Sequence, residues 1–156
     1  MSTKFLILDN IRSAHNVGSI FRTADGAGVE KIFLVGVTPC PIDRFGRQQP
    51  EITKTSLGAA ETVPWEYETD AEAVTLIREL QNDGVVVVAI EQTPASISLD
   101  QFKVPDKVAY IFGNEINGVQ PTLIEESDNV VEIPMKGKKE SLNVSVTTGI
   151  VLFKNG

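Results

Sequence analysis

The sequence predicts a single α/β domain in which helices cover both faces of a parallel sheet. Segments with strand and helix character alternate along the chain, which is the pattern of a layered α/β domain. Two runs, Val85–Ile90 and Lys107–Phe112, are rich in β-branched and aromatic residues without polar alternation, as expected of strands buried on both faces. The 156 residues are enough for one domain with its own core and too few for two ordinary domains, so residues 1–156 are assigned to one domain.

The individual elements follow from hydrophobic spacing and from local start and stop signals. Val17, Ile20 and Phe21 share one stripe of a predicted helix. Thr69 followed by Glu72 has the form of a capping box at the start of another helix. In chain order we predict a strand at Lys4–Leu8, a helix at Ala14–Gly28, a strand at Lys31–Val35, a loop at 36–55, an edge strand at Thr62–Tyr67 containing Pro64, a helix from Thr69 to about Asn82, the two buried strands, a short helix at Pro121–Glu126, a strand at Val130–Ile133 and a closing helix from Leu142.

The loop at 36–55 is unusually long. It loses the apolar pattern and accumulates Pro39, Pro41, Gly46 and Pro50. Long exposed loops in compact domains usually carry function or are mobile.

The net charge of −7 argues at first against a nucleic-acid partner, because phosphate binding depends on Lys and Arg. The charge is uneven, however. Residues 1–60 hold seven bases against five acids, residues 61–106 hold two bases against ten acids, and residues 107–156 hold five bases against six acids. A polyanion could therefore dock on the first or last third, although a charged stretch can equally be a solvated surface.

Compartment and membrane signals point to a cytoplasmic protein. There is no run of about 18 apolar residues and no secretion leader at the N-terminus, and Cys40 is the only cysteine. We therefore expect a cytosolic protein without disulfides or membrane segments.

Several common sites are excluded by their missing motifs. The phosphate-binding GxxxxGK[ST] and dinucleotide-binding GxGxxG patterns are absent, which disfavours a nicotinamide-dependent oxidoreductase. One His and one Cys leave no plausible zinc cluster, so no metal is expected. We interpret His15 as a surface residue near a helix start.

Three segments concentrate polar groups and glycines beside predicted buried elements. Residues 13–28 place Asn16, Ser19 and Arg22 opposite the apolar stripe of a helix, where they could simply face water. Residues 111–119 carry a strand directly into a glycine-rich turn, which could be an ordinary strand-to-helix connection or a place where backbone approaches a ligand. Residues 133–150 join a basic loop to a helix start, where Ser and Asn are favoured for capping alone.

Taken together and in this order, the three segments resemble the sequence motifs of the SpoU (TrmH-like) family of RNA 2′-O-ribose methyltransferases, in the SPOUT superfamily. The first motif has an Asn followed six positions later by an Arg, here Asn16 and Arg22. The second has Gly-x-Glu followed by Gly, and the third has Ile-Pro-Met followed by Ser-Leu-Asn-Val-Ser. In this chain these are Gly113, Glu115 and Gly118, then Ile133 to Met135 and Ser141 to Ser145.

The resemblance implies a fold and a cofactor. The fold is an α/β knot, in which the C-terminal part threads a loop to make a deep trefoil knot, and the active enzyme is a homodimer whose site uses both chains. The cofactor is S-adenosylmethionine, held at the ends of three strands. The residues implied in cofactor binding are Ile90, Glu91, Gly113, Asn114, Ile133, Met135, Ser141 and Leu142.

The resemblance also implies an activity, methylation of a ribose 2′-hydroxyl in structured RNA. Arg22 is implied to activate that hydroxyl, but a guanidinium is a poor base, so the alternative is that Arg22 clamps the adjacent phosphate and orients the hydroxyl. Asn16, Glu115, Ser141 and Asn143 would hold Arg22 and the ribose in register. The short chain suggests transfer RNA before ribosomal RNA. Substrate choice could come from the catalytic domain, from the loop at 36–55 with Arg44 and Arg47, from the dimer partner or from another protein. The alternative is a non-catalytic RNA- or nucleotide-binding module on the same fold.

Overall fold

A single parallel sheet forms the centre of the computed structural model, which describes residues 2–154. In that part of the chain the strands are β1 (Thr3–Asp9), β2 (Lys31–Val35), β3 (Trp65–Glu68), β4 (Val86–Ile90), β5 (Ile97–Ser98), β6 (Lys107–Gly113) and β7 (Asn129–Glu132). They lie in the order β3-β2-β1-β6-β4-β7-β5, and every neighbouring pair is parallel. The predicted parallel α/β class is confirmed. Residue 1 and residues 155–156 of the predicted domain lie outside the described residues.

Helices cover both faces of this sheet. They are α1 (Ala14–Ala27), α2 (Pro50–Ser56), α3 (Ala59–Thr62), α4 (Ala73–Asn82), α5 (Pro121–Glu126) and α6 (Val144–Leu152). Strand β1 shows why two covers are needed: Leu6 and Leu8 are buried in the core with α1, α2, α3 and α6, whereas Ile7 is buried with α4 and α5. Successive strand side chains point to opposite faces, so an apolar run requires a helix layer on each side.

The connections leave a crevice at one edge of the sheet. Strand β1 continues into α1 on one face, whereas its neighbour β6 continues into α5 on the other. Helices that leave adjacent parallel strands toward opposite faces create a switch point, and ligands bind in the crevice outside the carboxyl ends there. A ligand-binding site is therefore expected at the loops that follow β1, β6 and the neighbouring β4.

Two parts of the predicted element order are wrong. Helix α2 begins at Pro50, inside the predicted loop at 36–55, and the sequence analysis also missed α3 and the two-residue strand β5. Proline fits the first position of a helix because its missing N–H would be unpaired there anyway. Gln49 caps the start of α2, and Leu57, the C-cap that follows Ser56, has a positive φ of 48°.

The ends of other elements agree closely with the sequence. Strand β3 lies at the sheet edge, as predicted, but it begins at Trp65, so Pro64 precedes the strand and is not part of it. The carboxylate of Glu72 accepts a hydrogen bond from the Thr69 amide, which confirms the capping box, although a 3₁₀ turn at Asp70–Glu72 precedes α4. The closing helix α6 begins at Val144 and not at Leu142. Within residues 2–154, no helix has the length and apolar composition needed to cross a membrane.

Candidate active site

A cleft of about 560 Å³ opens at the carboxyl edge of the sheet, beside the ends of β4, β6 and β7. Its walls come from three segments: residues 90–92 after β4, residues 112–118 at the end of β6, and residues 132–147 between β7 and the first turn of α6. Parallel strands end at the same edge, so loops far apart in sequence meet here. The lining mixes apolar side chains with backbone and side-chain polar groups.

The wall at the end of β6 is a tight turn fixed by its own hydrogen bonds. The Asn114 amide donates to the carbonyl of Gly118 at 3.1 Å, and the Gly118 amide donates back at 2.9 Å. The Asn114 side-chain oxygen accepts from the amides of Ile116 and Asn117. A Cβ at Gly113 would lie 2.2 Å from the carbonyl carbon of Gly118. Gly113 is therefore required where the turn folds back on the strand, a reason that the sequence analysis had not identified.

Glu91 supports this turn from the neighbouring strand. Its carboxylate accepts hydrogen bonds from the amide of Val119 at 2.9 Å and from the amide of Gln92 at 3.1 Å. A Cβ at Gly118, which has a φ of +73°, would lie 2.2 Å from the same carboxylate. The Gln92 side chain in turn donates to the Glu140 carbonyl at 2.8 Å, so one short segment ties together all three walls of the cleft.

Glu115 connects the cleft to the start of α1. Its carboxylate accepts hydrogen bonds from the amides of Arg12 at 3.2 Å and Ser13 at 3.1 Å. Partial burial acts to raise the pKa of Glu115, but hydrogen bonds from its own amide and from those two amides outweigh burial, and the pKa is lowered. The Asn16 side chain acts in the same direction. The carboxylate is thus ionised and fixed near neutral pH.

The third wall ends at the cap of α6. The Asn143 side-chain oxygen accepts from the amide of Ser145 at 2.9 Å and from its hydroxyl at 2.7 Å. Capping alone therefore accounts for Asn143 at this position. Before it, Ser141 and Leu142 are exposed at the cleft, and Leu142 keeps 38% of its surface accessible.

Comparison with known proteins identifies the family. The family model described as the SpoU rRNA Methylase family matches residues 3–153. The chain belongs to this family. The second and third motif segments line the cleft, and the first begins at the start of α1, where the Ser13 amide donates to Glu115.

Curated relatives and solved structures agree with that membership. The chain is 37% identical over 147 residues to the 23S rRNA (guanosine-2′-O-)-methyltransferase RlmB of Neisseria meningitidis, covering 94% of this chain and 55% of the relative. The corresponding protein of Escherichia coli is 36% identical over 149 residues, covering 96% of this chain and 58% of that protein. The chain thus spans a little over half the length of these relatives.

Two solved structures share the fold closely. An AdoMet-bound rRNA methyltransferase from Sinorhizobium meliloti superposes with a TM-score of 0.85 at 31% identity, covering 97% of this chain and 54% of that one. A TrmH/SpoU tRNA modifying enzyme from A. aeolicus superposes with a TM-score of 0.83 at 27% identity, covering 98% of this chain and 73% of that one.

All the residues assigned from the sequence to the cofactor line the cleft. They are Ile90, Glu91, Gly113, Asn114, Ile133, Met135, Ser141 and Leu142. Of these, Glu91, Gly113 and Asn114 also have structural partners within the protein, described above. Their position at the cleft agrees with the assignment, and their contact with a cofactor stays a prediction.

The residues assigned to catalysis are not all in one place. Glu115, Ser141 and Asn143 line the cleft, and Asn16 stands beside Glu115 in the first turn of α1. Arg22 is exposed further along α1 and is not among the cleft residues. Arg22 therefore does not line the cleft of its own chain. His15 is exposed near the start of α1, as interpreted from the sequence.

A buried polar cluster at the end of β1 was missed in the sequence. The carboxylate of Asp9 is fully buried and accepts hydrogen bonds from the Gln120 amide at 2.8 Å and from its side chain at 2.6 Å. The Asn10 side chain donates to Asp9 and to Asp70 and accepts from the amide of Val37. The signal was the pair Asp9-Asn10 directly after an apolar strand. The cluster fixes the loops after β1, β2 and β6 relative to one another.

Proposed function

We propose that this protein transfers a methyl group from S-adenosylmethionine to a ribose 2′-hydroxyl in ribosomal RNA. The observation that carries the proposal is the cleft at the ends of β4, β6 and β7, which gathers the second and third family motifs. The named 23S rRNA methyltransferases among the relatives favour ribosomal RNA. The earlier preference for transfer RNA rested on chain length alone and finds no support in those relatives.

The cleft suits the cofactor in size and chemistry. Its volume of about 560 Å³ falls in the range of sites for small-molecule cofactors. Apolar Ile90, Ile133, Met135 and Leu142 offer surface for the adenine ring, and strand-end backbone groups offer hydrogen bonds for its edges and for the ribose. An AdoMet-bound structure is known for the rRNA methyltransferase of Sinorhizobium meliloti.

The protein's part in the reaction is to position the acceptor. Bound S-adenosylmethionine would supply the reactive methyl group. We assign Arg22 to the phosphate next to the target ribose, because a guanidinium binds phosphate well and is a poor base. Held by that contact, the 2′-hydroxyl would lose its proton late, to water. Glu115 keeps the start of α1 in place relative to the cleft through Arg12 and Ser13.

A homodimer would bring Arg22 to a cleft. Since Arg22 lies outside the cleft of its own chain, we propose that it acts at the cleft of a partner copy. Helix α6 packs on α1 and exposes Val146, Ile150 and Phe153 at 50%, 42% and 59% of their surface. Such side chains in one patch suit a two-fold interface. Sedimentation should show a dimer at micromolar concentration, and a fully active monomer would contradict this part of the proposal.

A C-terminal trefoil knot completes the proposed architecture. Strand β7 lies beyond β4, yet α6 packs on α1, so residues 133–143 cross the carboxyl edge of the sheet. The Gln92 side chain holds that crossing through the Glu140 carbonyl. An experimental electron-density trace should show residues 144–152 passing through a loop of the chain. A trace that passes outside every loop would contradict the knot.

Transfer to RNA tests the whole function. The protein should incorporate label from methyl-labelled S-adenosylmethionine into total RNA, and mapping should place the label on one ribosomal nucleotide, with a guanosine as first candidate from the relatives' names. Calorimetry should show binding of S-adenosylmethionine and not of NADH. A protein that binds RNA and transfers no label would instead be the non-catalytic module. A ribosomal substrate would also fit the predicted cytoplasmic location.

A further inference from the structure

A short hairpin within the loop after β2 is held rigid by its own hydrogen bonds. Ile42 and Gln48 form an antiparallel bridge, and the Gln49 amide donates to the Pro41 carbonyl at 2.9 Å. The carboxylate of Asp43 accepts from the amide of Phe45 at 2.8 Å, from the amide of Arg47 at 3.0 Å and from the Arg47 guanidinium at 2.9 Å. The tip, residues 42–48, is thus preorganised although it is exposed, which lowers the entropy cost of binding through it.

The tip presents an aromatic ring beside two guanidinium groups. Phe45 keeps 66% of its surface exposed, which is unusual for a phenylalanine. The Arg44 guanidinium carbon lies 4.9 Å from the centre of the ring, and that of Arg47 lies 5.1 Å from it. No side chain within residues 2–154 forms a salt bridge with Arg44, so its charge is available to a ligand.

The loop that carries the tip starts at the carboxyl edge of the sheet, where the cleft opens. It follows the carboxyl end of β2, and the start of its loop is anchored at the end of β1 by Thr38. The Thr38 hydroxyl oxygen lies 3.0 Å from the Leu8 carbonyl oxygen, toward which it can donate, and it accepts from the Ile11 amide at 3.1 Å. Only β1 separates β2 from β6, a distance of about 10 Å. An extended polymer at the cleft could therefore reach the tip.

We propose that residues 42–48 are a stacking platform for an unpaired base of the RNA substrate, with Phe45 contacting the base and Arg44 contacting an adjacent phosphate. The inference rests on the proposed function, because it takes RNA as the ligand. Unpaired bases stack on exposed aromatic rings and guanidinium planes, whereas bases inside a duplex present no free face. The platform therefore selects single-stranded or looped RNA over duplex.

The size of the tip favours RNA over a protein partner. Arginine and phenylalanine are also common in protein interfaces, but a stable interface covers about 800 Å² on each partner. A convex tip of seven residues cannot supply that area, whereas a base needs only one face of one ring. Residues 1–60 carry an excess of basic residues in a chain of net charge −7, which also favours RNA as the ligand.

Binding to short RNAs tests the platform in the intact chain. The probes are an unstructured oligoadenylate of about 12 nucleotides, a duplex of equal length and an abasic ribose-phosphate chain of equal length. We expect Phe45→Ala to weaken oligoadenylate binding by roughly 5- to 150-fold and Phe45→Trp to retain it. The Phe45→Ala variant should bind the abasic chain as tightly as wild type does, because that chain has no base to stack on the ring. Arg44→Ala should weaken binding of both the oligoadenylate and the abasic chain. It should also reduce the salt dependence of the binding affinity by about the amount expected for one phosphate contact.

The controls separate this platform from the activity itself. Ile97→Ala changes an exposed apolar residue on the far edge strand β5 and should bind as wild type does. Phe45→Ala should keep wild-type affinity for S-adenosylmethionine. If wild type methylates RNA and Phe45→Ala binds oligoadenylate equally well, the platform is wrong and the proposed function stands. If wild type binds cofactor and neither binds nor methylates any RNA, both are wrong.

Discussion

The carboxylate of Glu115 accepts a hydrogen bond from the backbone amide of Ser13 at 3.1 Å, which ties the turn after β6 to the cap of α1. Ser13 in turn caps α1 through its side chain, which accepts from the Asn16 amide at 3.1 Å. Residues more than 100 positions apart in sequence thus fix one another. The first and second family motifs are therefore joined by a specific contact and not only by proximity.

Glu115→Ala should destabilise the protein and lower its methyl-transfer rate. Because the carboxylate is partly exposed, we expect a loss of about 1 kcal/mol in the free energy of unfolding, measured with urea near pH 7. The pKa of Glu115 is lowered in the folded protein, so the difference from wild type should be complete above the ordinary value of 4.5 and disappear as the pH falls through the folded value. A difference that grows at acidic pH would contradict the assignment.

Gly113→Ala should damage both stability and cofactor binding. The new Cβ would lie 2.2 Å from backbone atoms of Gly118 and Val119, so the turn that forms one wall of the cleft must move. Gly137→Ala is the matched control, because a Cβ there meets nothing within 4 Å. Calorimetry should show weaker S-adenosylmethionine binding for Gly113→Ala alone. Equal binding by both variants would show that the turn is not part of the cofactor site.

Alanine substitutions at two glycines of α1 should change the stability of the protein in opposite directions. A Cβ at Gly18 would lie 1.7 Å from the Thr55 hydroxyl and 3.1 Å from the Ile52 Cα, so Gly18→Ala should cost about 1–3 kcal/mol by separating α1 from α2. At Gly26 the nearest atom, on the Phe153 ring, is 3.7 Å away. Gly26→Ala should therefore stabilise by about 0.5 kcal/mol. Thermal unfolding of the two variants compares them directly, and a stable Gly18→Ala would place α2 elsewhere.

The sequence predicted the parts of the fold that depend on strong local patterns. Strands β1 and β6 and helix α1 have long apolar runs or stripes, and they were found within one or two residues. Helix α2 was missed because Ile52 is its single buried apolar side chain, although Pro50 after a capping Gln49 was a readable start signal. The strand order could not be predicted, because it depends on contacts between distant segments.

The sequence analysis named residues that line the cleft, but it did not predict the hydrogen bonds that these residues make. The family resemblance implied one cofactor site at the ends of β4, β6 and β7, and the residues named for it line one cleft. The partners of Glu91 and Glu115 depend on the conformation of the turn at 113–119, which no periodicity encodes. The exposed ring of Phe45, which we propose contacts an RNA base, was not identified from the sequence, because Phe45 lies outside the three motifs.

Arg22→Ala should abolish methyl transfer and leave cofactor affinity nearly unchanged. Arg22 is exposed on α1 and does not line the cleft, so its loss cannot alter the cofactor pocket directly. A positioned catalytic group is typically worth about a hundredfold or more in rate. Arg78→Ala, which removes an exposed arginine paired with Glu126 on the opposite face, is the control and should stay active. Transfer above a few per cent of wild type in Arg22→Ala would refute the positioning role.

Transfer to a substrate that lacks one oxygen tests the proposed reaction most directly. After the modified nucleotide has been mapped, an RNA with 2′-deoxyribose at that position alone should bind almost as well as the natural RNA, because the phosphates and bases are unchanged. It should accept no label from methyl-labelled S-adenosylmethionine. Normal labelling of the deoxy RNA would contradict ribose methylation, even though the cofactor and the fold could still be as described.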